Sequence, residues 1–281
     1  TCYNYKPDII ITGHADLISK DQIQELKEDN PNTKFAQWFL DPLNVNGPDF
    51  ERNKDRILDK IEVMDGSFIT TSPSALKFLP NNSKNFYIPN PSDYSFETLN
   101  NFKKPCSVDV FFALSHGVHR GKLKSGKEDD RIIFLQKLQS MTTNVKFDLY
   151  GVNNIQPIWA DHYFKTIANA KMGLNLSRGD AIKYYSSDRI TQIVGNGLVC
   201  LIDEKTQYRD FFNDKEMVFY KNISDLSEKI LKISKDEKLR RQIAKNGKKK
   251  YMKHFNSTNV AEFIINKTLD INNKKKYLWY E

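Results

Sequence analysis

The sequence predicts an α/β protein built as two Rossmann-like domains that face a cleft. Three observations lead there. Short β-rich apolar runs alternate with helix-length amphipathic segments, the pattern of parallel sheets with helical crossovers. The alternation runs twice, and the turn-rich stretch Pro89-Asn90-Pro91-Ser92-Asp93 separates the two series. A length of 281 residues accommodates two cores of ordinary domain size.

In the first series, residues 8–12 (DIIIT) read as a buried strand. Residues 20–29 read as a helix, with Ser19 as N-cap and Pro31 beyond its end. Residues 34–40 (KFAQWFL) form a second strand, stopped by Asp41-Pro42. Helical periodicity covers 50–63, and 67–71 is a third strand. Pro73 stands where a helix start tolerates it and leads into 74–79; a short fourth strand follows at 86–88. The turn-rich stretch and 97–105 read as a linker, so 1–103 is expected to be the first domain and 104–281 the second.

The second series opens with the strand 108–114 (VDVFFAL). A loop at 115–127, rich in His, Lys and Gly, precedes a helix at 130–141 and the strand 146–150 (KFDLY). Helix 160–170 and strand 172–176 (MGLNL) come next, then a polar loop and a short helix, 188–194, ended by Gly195-Asn196-Gly197. Strand 198–202, a small helix near 206–212, strand 217–220 and helix 223–233 follow, and basic helices at 237–255 and 260–271 end the chain. In open α/β sheets ligands bind beyond the carboxyl ends of the strands. Loops 115–127, 151–158 and 177–189 all follow such ends and are expected to share one rim.

Composition excludes several classes. With 39% hydrophobic and 28% charged residues and a mean hydropathy of −0.61, the chain is globular rather than disordered. No apolar run approaches the ~20 residues of a membrane span. Cys2, Cys106 and Cys200 lie far apart without a C-x-x-C, which argues against a disulfide framework or zinc site and for a reducing compartment. No secretory signal opens the sequence, so a cytoplasmic location is expected. A net charge of +8 fits an anionic partner (nucleotide, nucleic acid or acidic membrane surface) or simply solvated lysines. The lysines are scattered with no aromatic-interleaved stripe, which argues against nucleic acid. Lys248–Lys250 and Lys274–Lys276, with Trp279 and Tyr280, are candidates for peripheral contact with an anionic membrane at its inner face.

The segment 172–202 is the most informative. A strand delivers a polar loop, and the loop delivers Ser186-Ser187-Asp188 to the start of a helix. Hydroxyl and carboxylate caps belong there, and so do phosphates, because free backbone N–H groups and the helix dipole favour anions. Arg189 in the first turn suits bidentate phosphate binding; the alternative is an ordinary β-loop-helix with a surface arginine. In the first series, His14 and Asp41 each follow a strand, and either type can act as general base on an acceptor hydroxyl. Asp41 could equally serve as a turn residue before proline.

This segment resembles the donor-binding region of GT-B-fold glycosyltransferases, with Arg189-Ile-Thr-Gln192-Ile-Val-Gly-Asn-Gly197 matching a pattern of Arg, then Glu, then Gly before a strand. The order continues through YRDFF at 208–212 to LRRQIAKNGKKKYMKHF at 239–255, as in the spore-coat-maturation type and, more loosely, family 4 glycosyltransferases. KFDLYG, NLS and YYSSDR also follow one another as similar motifs do in family 10 α1,3-fucosyltransferases. The resemblance implies that Arg189 and Ser187, flanked by Asp188, contact a donor diphosphate. It places Gln192 near the ribose, where the family carries Glu, and Tyr150-Gly151 beside the base. Ser115 and Arg131 fit a further family pattern, and Arg120 competes with Arg131 for the phosphate. Ser177, Lys183 and Tyr185 complete the expected donor set. Asp41 also fits a W-x-x-D-P feature of these proteins (Trp38, Asp41, Pro42). Relatives begin with a strand, helix and strand that have no counterpart before Asp8, so the first domain is expected to be incomplete upstream.

The sequence has no Asp-x-Asp, Walker loop or GxGxxG, so no metal or cofactor is expected and phosphate charge falls to Arg, Lys and helix N-termini. The reading is a metal-independent glycosyltransferase, hexosyl- or fucosyltransferase-like. It would move a sugar from a nucleotide-sugar to a glycan or glycolipid in surface polysaccharide or lipopolysaccharide assembly. The alternative, prompted by Gln192, is a non-catalytic nucleotide-sugar- or glycan-binding protein of the same fold.

Overall fold

The computed structural model describes residues 2–114, 118–119, 122–123, 126 and 128–280. The chain divides into two compact units. Unit 1 comprises Thr1–Pro91, Gly179–Tyr185 and His254–Glu281; unit 2 comprises Ser92–Arg178 and Ser186–Lys253.

Unit 1 starts with the single helical turn α1 (Cys2–Tyr5) and the strand β1 (Ile9–Thr12). α2 (Lys20–Asp29) begins at a capping box: the Ser19 hydroxyl accepts from the Gln22 N–H, and the Gln22 side chain accepts from the Ser19 N–H. β2 (Lys34–Phe39), α3 (Phe50–Ile61), β3 (Gly66–Ile69) and β4 (Asn85–Tyr87) complete a parallel sheet in the order β1-β2-β3-β4. Phe39, Ile57, Ile61, Ile69 and Leu76 close one core, and Ile23, Phe35, Val63 and Met64 another. Residues 74–79 do not form the expected helix; between Pro73 and Pro80 only the turn Pro73–Ala75 forms, too short a stretch to propagate.

Unit 2 carries β5 (Val108–Ala113), the antiparallel pair β6 (Val118–His119) and β7 (Lys122–Leu123), α4 (Asp130–Met141) and β8 (Phe147–Tyr150). α5 (Ala160–Ile167), β9 (Ala170–Asn175), α6 (Arg189–Gly195), β10 (Val199–Asp203) and β11 (Val218–Tyr220) follow, with α7 (Ile223–Lys235) and α8 (Glu237–His254) last. The five main strands are parallel in the order β11-β10-β9-β5-β8. β9 and α6 pack without a gap because residue 173 is glycine: a Cβ there would stand 2.4 Å from Ile193 Cγ1. The small helix expected near 206–212 is two 3₁₀ turns, Glu204–Thr206 and Tyr208–Asp210, separated by Gln207 at φ +57°.

The expected boundary after residue 103 is corrected on both sides. Unit 2 begins at Ser92, and α9 (Ser257–Thr268) with the tail beyond it belongs to unit 1. Aromatic packing explains the reassignment: Phe263 meets Phe68 and Phe86 edge-on, with ring centroids 6.2 and 6.0 Å apart, and Trp279 and Tyr277 close over it at 5.7 and 5.0 Å.

Candidate functional site

In unit 2 the strand order reverses at β5: the chain moves from β5 to β8 on one side, then to β9, β10 and β11 on the other. Helices leave opposite faces there, which opens a crevice beyond the carboxyl ends of β5 and β9. Past β9 the chain runs Leu176-Ser177-Arg178, which brings a cationic side chain to that end.

Asp129, only 1% exposed, stands at the N-cap of α4. Its carboxylate accepts from the Arg131 backbone N–H (3.0 Å), Nε (2.8 Å) and Nη2 (2.7 Å). Arg178, just after β9, brings its Nε to 3.9 Å of the same carboxylate. Burial alone would raise the Asp129 pKa, but the Arg131 hydrogen bond and charge and the nearby Arg178 hold it below the usual range. Two guanidinium groups thus flank one buried carboxylate.

α6 supplies the other wall. Arg189 is its first residue, donates from Nη2 to the Leu176 carbonyl (2.9 Å) and lies 5.3 Å over the Phe112 ring. Ser187 is drawn down to the sheet, its hydroxyl donating to Asn175 Oδ1 (2.8 Å). Asp188 occupies the N-cap position, but its side chain makes no capping bond, which corrects the expected carboxylate cap. Gln192, one turn on from Arg189, donates from Nε2 to Glu97 Oε1 (3.1 Å). Tyr163 lies within the field of Arg189, Asp188 and Glu97; burial, more than those charges, raises its phenol pKa.

Tyr150 closes β8, its carbonyl accepting from the Leu114 N–H (2.9 Å). Burial first, then Asp148, raises its phenol pKa. Gly151 follows at φ +74°, and a Cβ there would lie 2.0 Å from the Leu114 carbonyl oxygen. That glycine lets the ends of β5 and β8 approach. Ser177 is half-buried, directly after β9. Ser115 and Arg120 lie outside the described residues. Lys183 and Tyr185 belong to unit 1: the Lys183 carbonyl accepts from the Ser72 N–H (3.1 Å), its ammonium lies 4.8 Å over the Tyr184 ring, and Tyr185 is buried.

In unit 1, β1 and β2 bring His14 and Asp41 together, with His14 Nδ1 3.8 Å from Asp41 Oδ2. Arg56 of α3 contacts both side chains, and its Nε donates to Asp16 Oδ1 (3.0 Å). Arg56, Asp129, Arg178, Tyr163 and Glu97 were not singled out from sequence. Arg178 carried a readable signal, since it lies just beyond the strand-ending NLS; the others depend on long-range placement.

The tail changes the membrane candidate. Trp279 is 6% exposed among aromatic rings, and Lys248 Nζ donates to the Glu97 and Leu99 carbonyls (3.1 and 2.6 Å), so neither projects from the surface. No helix among the described residues is long and apolar enough to cross a membrane.

Solved structures with this arrangement include glycosyltransferases. The chain has the fold of the GT-B glycosyltransferases. TarM matches at TM-score 0.63 and 14% identity over 95% of this chain, which spans 57% of the TarM chain. Sucrose-phosphate synthase of Thermosynechococcus elongatus matches at 0.65 and 12% identity, covering 94% of this chain and 73% of that one. Anabaena HepE, in complex with UDP and glucose, matches at 0.63 and 11% identity, covering 94% and 78%. Residues 131–266 match the family model described as glycosyl transferase-like, so the GT-B likeness in fold is joined by a likeness in sequence over the part that carries Arg178, Ser187, Arg189 and Gln192. A sequence search of curated proteins returns no match.

Proposed function

We propose that unit 2 binds a nucleotide-sugar donor and that the chain transfers its sugar to a glycan or glycolipid acceptor in surface polysaccharide or lipopolysaccharide assembly on the cytoplasmic side. The observation that carries this reading is that Arg131, Arg178 and Arg189 all stand in the segments that follow the carboxyl ends of β5 and β9, the side on which α/β sheets take their ligands. HepE was solved with UDP and glucose, and a TarM structure with UDP, which supports a nucleoside diphosphate as the group bound. The cationic side chains offer planar, permanently charged donors to diphosphate oxygens, and no metal is invoked.

On unit 1 the proposed acceptor base is Asp41, with His14 as the second candidate. Arg56 holds the Asp41 carboxylate in place; a hydroxyl proton would pass to Asp41 Oδ as the acceptor oxygen bonds the anomeric carbon of the sugar and the nucleoside diphosphate leaves. The test is a screen of UDP-, GDP- and ADP-sugars for donor hydrolysis and for transfer to glycan and glycolipid acceptors. Turnover with one donor supports the enzyme; saturable donor binding without hydrolysis or transfer turns the reading into a sugar-nucleotide-binding protein. No binding to any of them refutes the site.

A further inference from the structure

Glu97 is a carboxylate that is only 4% exposed, and the proposed donor chemistry does not use it. Its surroundings are specific. Oε2 accepts from the Asp93 N–H (2.6 Å) and Oε1 from Gln192 Nε2 (3.1 Å), while Lys248 bonds the backbone carbonyls of Glu97 and Leu99 instead. α6 makes room for it: a Cβ on Gly195 would stand 2.4 Å from Glu97 Cγ. The adjoining backbone is pinned to the same helix face, with Leu99 N–H donating to Asn196 Oδ1 (3.1 Å) and Asn101 N–H to the Asn196 carbonyl (3.2 Å). Residues 192, 195 and 196 share one face of α6, and Arg189 precedes Gln192 on it by one turn.

A buried carboxylate is costly unless its charge is used or compensated. Here the nearest side-chain donor is an amide whose other end is a carbonyl oxygen. Donating Nε2–H to a carboxylate pushes electron density toward Oε1 and fixes the side chain, because chains of hydrogen bonds polarise one another in a low-dielectric setting.

We infer that Glu97 is a positioning residue that acts through Gln192, orienting its amide and lending its carbonyl oxygen negative character so that it accepts a ribose hydroxyl of the donor nucleotide. This rests on the donor-site reading above and deepens it. Glu97 would supply at one remove the charge that Gln192 itself lacks.

The test measures ribose discrimination, the ratio of the Kd of a 2′,3′-dideoxynucleoside diphosphate to that of its ribonucleotide, by calorimetry. The base is whichever of UDP, GDP and ADP binds the wild type best. Charge-assisted acceptance corresponds to a ratio of roughly 10-fold or more and neutral acceptance to about 2- to 10-fold. The wild type is expected in the first range, Glu97→Gln in the second, and Gln192→Ala near unity. The exchange variant Glu97→Gln/Gln192→Glu restores the carboxylate–amide pair with the carboxylate now at position 192 itself, and is expected to discriminate at least as strongly as the wild type. If Glu97→Gln lowers the Tm, the exchange variant and Gln192→Ala decide. An unchanged ratio in Glu97→Gln or in Gln192→Ala, or no recovery in a folded exchange variant, overturns the inference. A wild type that binds the diphosphate without discriminating overturns it while leaving the donor site standing. A wild type that binds none of the three refutes both.

Discussion

Asp129→Ala probes the charge cluster beyond β5 and β9 directly. The substitution removes the acceptor of three Arg131 bonds and leaves a guanidinium that is 6% exposed without its counter-ion. Breaking one partner of a buried ion pair costs about 3–5 kcal/mol, and losing the N-cap of α4 adds about 1 kcal/mol. Arg178 loses its 3.9 Å approach to the same carboxylate. A net loss of roughly 4 kcal/mol moves a urea midpoint by about 1.3–4 M for slopes of about 1–3 kcal/mol/M. Urea unfolding followed by far-UV circular dichroism reads it. Arg131→Leu and the double variant complete the cycle, and the double variant is expected to be less destabilised than Asp129→Ala because it buries no lone charge. A loss under about 1 kcal/mol, or strict additivity in the cycle, would refute a cooperative buried pair. The pH dependence has a definite sign. The Asp129 pKa is held below its ordinary 3.8, so its contribution is complete above that value and fades as pH falls through the lowered one.

Gly151→Ala brings a Cβ to 2.0 Å of the Leu114 carbonyl at φ +74°, and a loss of about 2–3 kcal/mol is expected in the same unfolding assay, with wild-type stability as the contrary result. Arg189→Ala is expected to weaken nucleoside diphosphate binding roughly 10- to 150-fold by calorimetry, with Arg189→Lys recovering part of it. Because Arg189 also donates to the Leu176 carbonyl, about 1 kcal/mol of stability goes with it. Asp41→Asn is expected to cut turnover by ~10²–10⁴ while donor affinity holds; unchanged turnover passes the base role to His14.

Local patterns carried the strands and helices well. KFAQWFL and VDVFFAL are runs whose burial on a parallel sheet leaves little alternative, and the Ser19 and Gln22 pair marks a helix start by its own chemistry. DIIIT, expected as a buried strand, lies instead at the sheet edge with Ile11 exposed. Arg189, Ser187 and Gln192 were legible because the polar loop after a strand delivers them to the start of a helix. What escaped was whatever depends on distant chain meeting: Glu97 looks like a linker residue until α6 packs on it, and Arg56 looks like a helix-surface charge until two strand ends converge beside it. The same limit hid the domain boundary. Nothing in the spacing of 257–268 says that Phe263 belongs between Phe68 and Phe86.

That last arrangement bears on synthesis. A ribosome makes the chain from the N-terminus, yet the sheet of residues 9–87 lacks its aromatic cover until the codons for Phe263 and Trp279 have been read. The segment 92–253, interrupted only at 179–185, holds all of the second sheet and can close earlier, so the half that emerges first is completed last. During that interval Phe68 and Phe86 stay uncovered on a nascent chain. Ending translation before α9 would therefore leave the sheet β1-β2-β3-β4 without that cover, although these four strands had already been made.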